Sequence, residues 1–376
     1  MKTVLREVFF FLSILAADGA EQLTVKYELV NGIPYNKDVP RDDNYPYCPR
    51  PLYIDNQPIS CSCSHNDDIY LPSFICNTVS NADEIVSYFN RTFPTYLAEK
   101  ITISNSTARI IPENIFADKQ PKQITWYNNR INDIDPNAFT FTRPKLEILE
   151  IKYEPELERF PFKSLNEFPF LRELRLNNNK LRNITDLGGL ALSNLEILNL
   201  DYNMIETEFP KLRFFPNLVS VSVEQSLLTS ISPELPFKEL QLIEVINFRG
   251  NPLGSIKTGT FSFGEQRNIQ SIDLSACGIS SIEPGAFFSL RSDTNVILQN
   301  NALTTLPENS FRSILETMLG GTGKMDLTGN KIVCCCDINW LVADISLQTS
   351  LIGGSCAGGA AITQLPSDYL IPLCPA

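Results

Sequence analysis

The sequence repeats an apolar pattern about every 24 residues, and this repeat constrains the fold more than any other feature. The clearest unit, residues 171–184, reads LRELRLNNNKLRNI and fits the pattern LxxLxLxxNxL, and residues 195–205 fit it again. Relaxing leucine to any apolar residue extends the array in both directions. The residues at the Asn position are Ser106, Asn129, Glu154, Asn179, Asn203, Ser226, Asn251, Cys277, Asn301 and Asn330, at spacings of 23 to 29 residues.

Each unit is expected to supply one short parallel strand whose apolar side chains point inwards. One unit cannot bury its own apolar face, so neighbouring units stack into a continuous core. The Asn side chain is expected to pair with backbone groups that the turn after the strand leaves unpaired. A phenylalanine ten residues later is expected to fill the convex side, and it recurs at Phe116, Phe139, Phe261, Phe287 and Phe311.

We therefore predict an α/β repeat fold: a leucine-rich-repeat solenoid with a curved parallel sheet on its concave face and an irregular or short-helix convex face.

Two units depart from the pattern. Cys277 occupies the Asn position, where we expect a buried free thiol. Glu154 occupies it in a unit whose spacing slips by one residue, and that repeat is expected to be distorted.

The other cysteines lie at the two ends of the array. They are Cys48, Cys61, Cys63 and Cys76 before it, and Cys334, Cys335, Cys336, Cys356 and Cys374 after it. A solenoid exposes its core at both ends, so capping units are required, and disulfides stabilise such small units. Cys-x-Cys pairs also chelate zinc, but oxidation is the usual outcome in an exported chain. Each set of four cysteines allows three pairings.

The array with two cysteine caps resembles the extracellular leucine-rich-repeat proteins. Their caps carry C…C-x-C…C before the repeats and C-x-C-D…W-L…C…C after them, where this chain has Asp337, Trp340 and Leu341 in the second pattern. The resemblance implies first-to-third and second-to-fourth pairing, and an apolar plug at Trp340. The implied disulfides are Cys48–Cys63, Cys61–Cys76, Cys334–Cys356 and Cys336–Cys374.

Cys335 departs from that pattern and is left over. It is expected to be a free thiol, a source of mispairing or a link to a partner chain. The stretches CPRPLYIDNQPISCSC and CCCDINWLV also resemble a family of arthropod secreted proteins similar to the non-catalytic subunit of oplophorus-luciferin 2-monooxygenase. That likeness implies a partner subunit that performs the chemistry.

The N-terminus predicts export. Lys2 and Arg6 precede an apolar run over residues 8–17, which is the layout of a signal peptide; an uncleaved signal anchor is the alternative. No other run is long enough for a membrane span. Three sequons predict glycosylation at Asn90, Asn105 and Asn183.

The net charge of −12 disfavours a nucleic-acid partner. The single histidine, His65, lies in a polar run and provides no catalytic set, and we predict neither an enzyme nor a metal or cofactor. The predicted organisation is a signal peptide at 1–20, a flexible extension at 21–47, an N-terminal cap at 48–96, about ten repeats at 97–332 and a C-terminal cap at 333–376.

Function is expected to reside on the concave sheet, whose rigid strands present outward side chains. Tyrosine and arginine are favoured interface anchors. We predict a secreted, non-enzymatic protein that binds a protein partner there; the alternatives are a solvated face without a ligand, and a non-catalytic, stabilising subunit of a secreted oxidoreductase, as in a luciferase-like complex. The candidate partner-binding residues are Tyr127, Lys152, Tyr153, Arg175, Asp201, Tyr202, Glu224, Asn247 and Arg249.

Overall fold

A computed structural model describes residues 27–30, 33–36, 48, 53–54, 57–58, 60–65, 71–91, 93–232, 236–264 and 268–366. The predicted signal peptide, most of the predicted N-terminal extension, and Cys374 lie outside these residues. The domain boundaries given above therefore remain predictions.

The N-terminal region contains two antiparallel hairpins, an antiparallel pair and one helix. The first hairpin, β1 with β2, lies within the stretch that was predicted to be a flexible extension. In chain order the elements are β1 Tyr27–Val30, β2 Ile33–Asn36, β3 Tyr53–Ile54, β4 Gln57–Pro58, β5 Cys61–His65, β6 Pro72–Asn77 and α1 Ala82–Phe89.

The repeats form short strands, with one longer helix near the end. The strands are β7 Leu97–Ser104, β8 Ile110–Ile111, β9 Gln120–Tyr127, β10 Asp133–Ile134, β11 Ile148–Lys152, β12 Glu173–Arg175, β13 Ile197–Asn199, β14 Ser220–Ser222, β15 Val245–Asn247, β16 Ser255–Ile256, β17 Phe261–Ser262, β18 Ser271–Asp273, β19 Ser281–Ile282, β20 Phe287–Phe288, β21 Asn295–Ile297, β22 Met325–Asp326 and β23 Lys331–Ile332. The helix is α2 Glu308–Met318. The remaining elements are α3 Asn339–Val342, α4 Ile345–Gln348, β24 Leu351–Ile352 and β25 Ser355–Cys356. Short 3-10 turns cover 140–142, 162–167, 185–189, 336–338 and 362–364.

One sheet of thirteen strands organises the molecule, in the order β24-β22-β21-β18-β15-β14-β13-β12-β11-β9-β7-β6-β5. Its strands pair in parallel except β5 with β6. Equivalent core residues therefore align, as Leu149 with Leu174 and Leu174 with Leu198. The predicted solenoid with a parallel sheet is confirmed. The convex side consists of two-stranded ribbons and short turns, and the five predicted phenylalanines are all buried.

The side chains at the Asn position form a ladder, in which all ten residues are buried except Asn301, which is half-buried. Asn251 is fully buried, and its Oδ1 accepts from the backbone N–H groups of Ser226 (3.0 Å) and Leu228 (2.9 Å). Its Nδ2 donates to the carbonyls of Val223 (2.6 Å) and Phe248 (2.7 Å). Asn251 thus satisfies backbone groups of its own repeat and of the preceding one, which is the role expected from the sequence.

Glu154 and Cys277 both occupy their places in this ladder. Glu154 is fully buried and accepts from the backbone N–H and side-chain amide of Asn129 at 3.1 and 2.8 Å and from the Ile131 N–H at 3.1 Å. The strand register is regular, because Lys152 lies opposite Tyr127. The slip comes later: the next buried residue is Leu157, three positions on, where the other repeats need two. The thiol of Cys277 lies 3.1 Å from the Phe248 carbonyl, and burial raises its pKa to about 11.

Disulfides close both ends of the solenoid. Cys48 is joined to Cys63, Cys61 to Cys76 and Cys334 to Cys356, which are three of the four implied bridges. The fourth involves Cys374 and lies outside the described residues. Cys335 is free and half-buried.

Trp340 packs against the core at the C-terminal end, as the resemblance implied, but it does not form a fully buried plug. This residue is only half-buried, and its Nε1 donates to the Leu306 carbonyl at 2.9 Å. Its neighbours Ile338, Leu341 and Val342 are the buried residues that cover the last repeat. An indole carries a polar N–H, so a position at the edge of the apolar contact satisfies it.

Candidate functional site

The nine candidate residues all lie on the outward face of the thirteen-stranded sheet or at the rim where its strands end. This face, the concave face, carries the side chains two, four and six positions before each ladder residue. Tyr127, Tyr153, Tyr202 and Arg249 are exposed. The other five are half-buried, namely Lys152, Arg175, Asp201, Glu224 and Asn247. The sequence thus placed the residues on one surface but did not separate these two groups.

Glu150 is the centre of the first half-buried cluster. Its carboxylate accepts from the Thr125 hydroxyl at 2.9 Å, the Gln123 amide at 3.2 Å and the Lys152 ammonium at 3.0 Å, and Arg175 lies 3.8 Å away. Burial by itself would raise the pKa of Glu150, but the hydrogen bonds from Lys152 and Thr125 and the nearby lysine charges lower it. Lys152 and Arg175 therefore neutralise a carboxylate of their own chain.

Asp201 holds a second cluster together. Its Oδ1 accepts from the Ser222 hydroxyl at 2.6 Å and the Glu224 N–H at 2.7 Å, and its Oδ2 accepts from Asn199 at 2.9 Å. Asn247 donates to Ser222 and Glu224 at 3.1 and 3.2 Å. These polar side chains therefore hold one another in place, and they stabilise the concave face itself.

A recurring contact that the sequence reasoning missed explains several of these residues. Four positions before the ladder, an Asn or Asp side chain accepts from the backbone N–H two residues later. The four acceptors are Asn199, Asn247, Asp273 and Asp326, at 2.8 to 3.0 Å. This is the local turn that Asx side chains make where a strand ends. The available signal was an Asn or Asp at a fixed place in several repeats.

The rim of the concave face has a left-handed backbone. The residue immediately before each ladder position has a positive φ, and the members with φ between 46° and 78° are Asn105, Asn128, Tyr153, Asn178, Tyr202, Gln225, Gly250, Ala276, Asn300 and Gly329. Glycine and asparagine adopt this conformation readily, whereas a bulky side chain adopts it at a cost. Tyr153 and Tyr202 are therefore held at the rim against their local preference.

The rim tyrosines make specific contacts. The rings of Tyr127 and Tyr153 meet edge to face with centroids 5.2 Å apart. The Tyr202 hydroxyl donates to Glu224 at 3.2 Å, and the negative charge of Glu224 raises the pKa of Tyr202. All three rings are 43 to 45% exposed, so each presents nearly half of its surface to a partner. Exposed aromatic rings that are held in place by hydrogen-bonded polar side chains are suited to binding a partner rather than to catalysis.

Other functional classes find less support in the described ranges. No group of three or more His, Cys, Asp and Glu side chains within them comes together as a metal site. None of the helices described there is long and apolar enough to cross a membrane. The sequon residues Asn90, Asn105 and Asn183 are exposed, and Asn105 donates its amide to Asn77 at 3.0 Å.

The ladder, the parallel sheet and the cysteine caps define a leucine-rich-repeat protein. The chain belongs to the family described as BspA type leucine rich repeat region, whose model matches in six copies over residues 87–215 and 213–319.

Two curated relatives resemble it over long stretches. The oplophorus-luciferin 2-monooxygenase non-catalytic subunit of Oplophorus gracilirostris is 22% identical over 328 residues, covering 86% of this chain and 88% of that protein. Tsukushi of Gallus gallus is 26% identical over 243 residues, covering 63% of this chain and 64% of that protein. The nearer family resemblance expected from the sequence is confirmed.

Among solved structures, one chain of an octameric complex of Latrophilin 3, Unc5D and FLRT2, in which FLRT2 supplies the leucine-rich repeats, superposes with a TM-score of 0.54 at 18% identity. The match covers 80% of this chain and 90% of that chain. At this identity the likeness establishes the fold alone.

Proposed function

We propose that the chain is an extracellular, non-enzymatic binding protein that docks a protein partner on the rim of its concave face. The observation that carries the proposal is the set of exposed rings at Tyr127, Tyr153 and Tyr202, two of them on left-handed backbone. Strained backbone persists where the surrounding structure holds it, and such positions cluster at ligand clamps. Tyrosine is also among the residues that most often dominate binding energy at an interface.

The chemistry of the chain and its relatives both support an extracellular location. Three disulfides are present in the described residues, and such bonds persist in oxidising compartments. The resemblance to a non-catalytic subunit and to Tsukushi favours a binding role over catalysis.

The test is cross-linking of the purified chain in native extracellular fluid, followed by mass spectrometry of the cross-linked peptides. We expect one partner whose cross-links fall beside the rim. Its capture should fall at least tenfold with the double variant Tyr127→Ala and Tyr153→Ala, since each anchor ring contributes about 1–2 kcal/mol. The matched control is Phe288→Ala, which removes an exposed ring outside the large sheet. Equal capture of the partner by the wild type, the double variant and the control variant would show that the rim is not the docking surface.

A second function is favoured by one observation, the match over 88% of the luciferase non-catalytic subunit. In this case the chain is a stabilising subunit of a secreted oxidoreductase, and the partner on the rim is the catalytic subunit. Gel filtration of the native complex, followed by an oxidase assay on each separated component, distinguishes the two functions. Activity confined to the partner and prolonged by the chain supports the subunit, whereas an inactive partner supports a simple binding protein.

A further inference from the structure

The sequon at Asn183 has a geometry that the sequon at Asn105 lacks. Asn183 lies on the exposed loop between β12 and β13. Its Oδ1 accepts from both the backbone N–H and the hydroxyl of Thr185, each at 2.8 Å, and Thr185 is the third residue of the same sequon. These bonds fix the amide plane. Within the described residues the Nδ2 of Asn183 has no hydrogen-bond acceptor, whereas Asn105 donates its Nδ2 to Asn77.

A surface groove begins at this sequon. Thr185 lines an open groove of about 450 Å³, together with Gly188, Pro210, Lys211 and Phe214. The Phe214 ring is 55% exposed, so it presents an apolar surface to any group that occupies the groove. The groove lies on the turns between strands, away from the tyrosine rim.

We propose that Asn183 carries an N-linked glycan whose first N-acetylglucosamine residues occupy the groove and cover Phe214. The donor is a lipid-pyrophosphate-linked oligosaccharide in the secretory compartment. The bond between Nδ2 and the anomeric carbon forms as that carbon's bond to the pyrophosphate oxygen breaks; the nitrogen releases one proton and the lipid pyrophosphate leaves. No electrons are transferred.

The chemistry of the groove suits a sugar. One face of a pyranose ring presents C–H groups, which pack on an aromatic ring as other apolar groups do. Lys211 and Thr185 line the same groove, where the Lys211 ammonium can donate to sugar hydroxyl and acetamide oxygens and the Thr185 hydroxyl oxygen can accept from a sugar hydroxyl. Groove volumes of roughly 300–1,000 Å³ are typical of small-ligand sites.

The attachment point makes a weak site sufficient. A ligand tethered beside its site reaches an effective concentration on the order of millimolar. Glycan contacts too weak to retain a free sugar are therefore populated when the sugar is held on Asn183. The resulting cover over Phe214 would remove an exposed ring from the turn surface while leaving the concave face open.

Occupancy is tested on protein secreted from a eukaryotic host. The glycans are removed with an N-glycosidase in ¹⁸O water, which converts each modified asparagine to a labelled aspartate that peptide mass spectrometry detects. We expect the label at Asn183. An unlabelled Asn183 peptide overturns the proposal, whatever the state of Asn90 and Asn105.

The position of the glycan in the groove is tested by the rate of its removal from the folded protein. We expect Phe214→Ser to accelerate N-glycosidase release at Asn183 by about 2- to 10-fold, the value that loss of one aromatic contact implies. The control, Phe141→Ser, also removes an exposed ring but in a distant repeat, and should leave the rate unchanged. Unchanged melting temperatures verify that both variants fold. Equal rates in the wild type and Phe214→Ser would overturn the groove contact.

Discussion

Replacing Asn251 tests the ladder that holds the repeats together. Asn251→Ala removes the acceptor of two buried N–H groups, those of Ser226 and Leu228, and the donor of two buried carbonyls, those of Val223 and Phe248. An unpaired buried polar group costs about 1–3 kcal/mol. Because the site is fully buried, water replaces these bonds poorly, and four groups at the lower value give a loss of about 4 kcal/mol.

The measurement is urea-induced unfolding followed by far-ultraviolet circular dichroism, with hydrogen exchange at the Ser226 and Leu228 amides as a local probe. Asn251→Asp is a sharper variant, because it keeps the shape but places a carboxylate oxygen against two carbonyls, and its loss should be at least as large. The control is Asn194→Ala, which removes one exposed hydrogen bond to the Pro169 carbonyl and should cost about 0.5–1 kcal/mol. A loss for Asn251→Ala no larger than that of the control would refute the reasoning.

Three further predictions concern single side chains. Burial raises the pKa of Glu154 above its ordinary value of 4.5, despite the hydrogen bonds that lower it, so its stabilising contribution is present below the unfolded-state pKa and is lost as pH rises through the folded-state pKa. The wild type should therefore gain unfolding free energy relative to Glu154→Gln as pH falls from 7 towards 4.5; a pH-independent difference would contradict this. Tyr153→Asn should change the unfolding free energy by less than about 1 kcal/mol, because relief of the left-handed backbone offsets the lost ring contact, yet it should weaken partner capture; unchanged capture would count against the rim. Native thiol labelling with mass spectrometry should modify Cys335 but reach Cys277 only after unfolding, since the thiol of Cys277 is buried and its pKa is about 11; labelling of Cys277 in the folded protein would be the contrary result.

The repeat positions allowed much of the frame to be predicted, because a solenoid applies one local rule many times. The inward leucines, the buried phenylalanines and the ladder amides all follow from spacing. The repeat of Glu154 shows what the spacing cannot predict. The spacing placed Glu154 correctly in the ladder and showed that this repeat has one additional residue. Only the packing of neighbouring repeats shows that this residue lies between Glu154 and Leu157.

The sequence placed the candidate residues on one surface but did not show what each side chain does there. Strand alternation put Lys152, Arg175, Asp201 and Asn247 on the concave face. Whether Arg175, Asp201 and Asn247 face solvent or a polar side chain of the neighbouring strand depends on residues 21 to 25 positions away in sequence. Lys152 instead pairs with Glu150 of its own strand. The pairings of Arg175, Asp201 and Asn247 form across strands, so no single repeat contains them.

The sequence by itself determined that this chain is a capped solenoid. The apolar period specifies repeats that stack on their neighbours, and the two groups of cysteines specify the caps at the ends. The tertiary structure decided which outward residues are available to a partner. It assigned the charged and amide side chains to one another and left the rings of Tyr127, Tyr153 and Tyr202 exposed, the last two on left-handed backbone. The physical reason is that burial and backbone handedness at the rim are set by the stacking of repeats, whereas the strand pattern specifies only which face a side chain occupies.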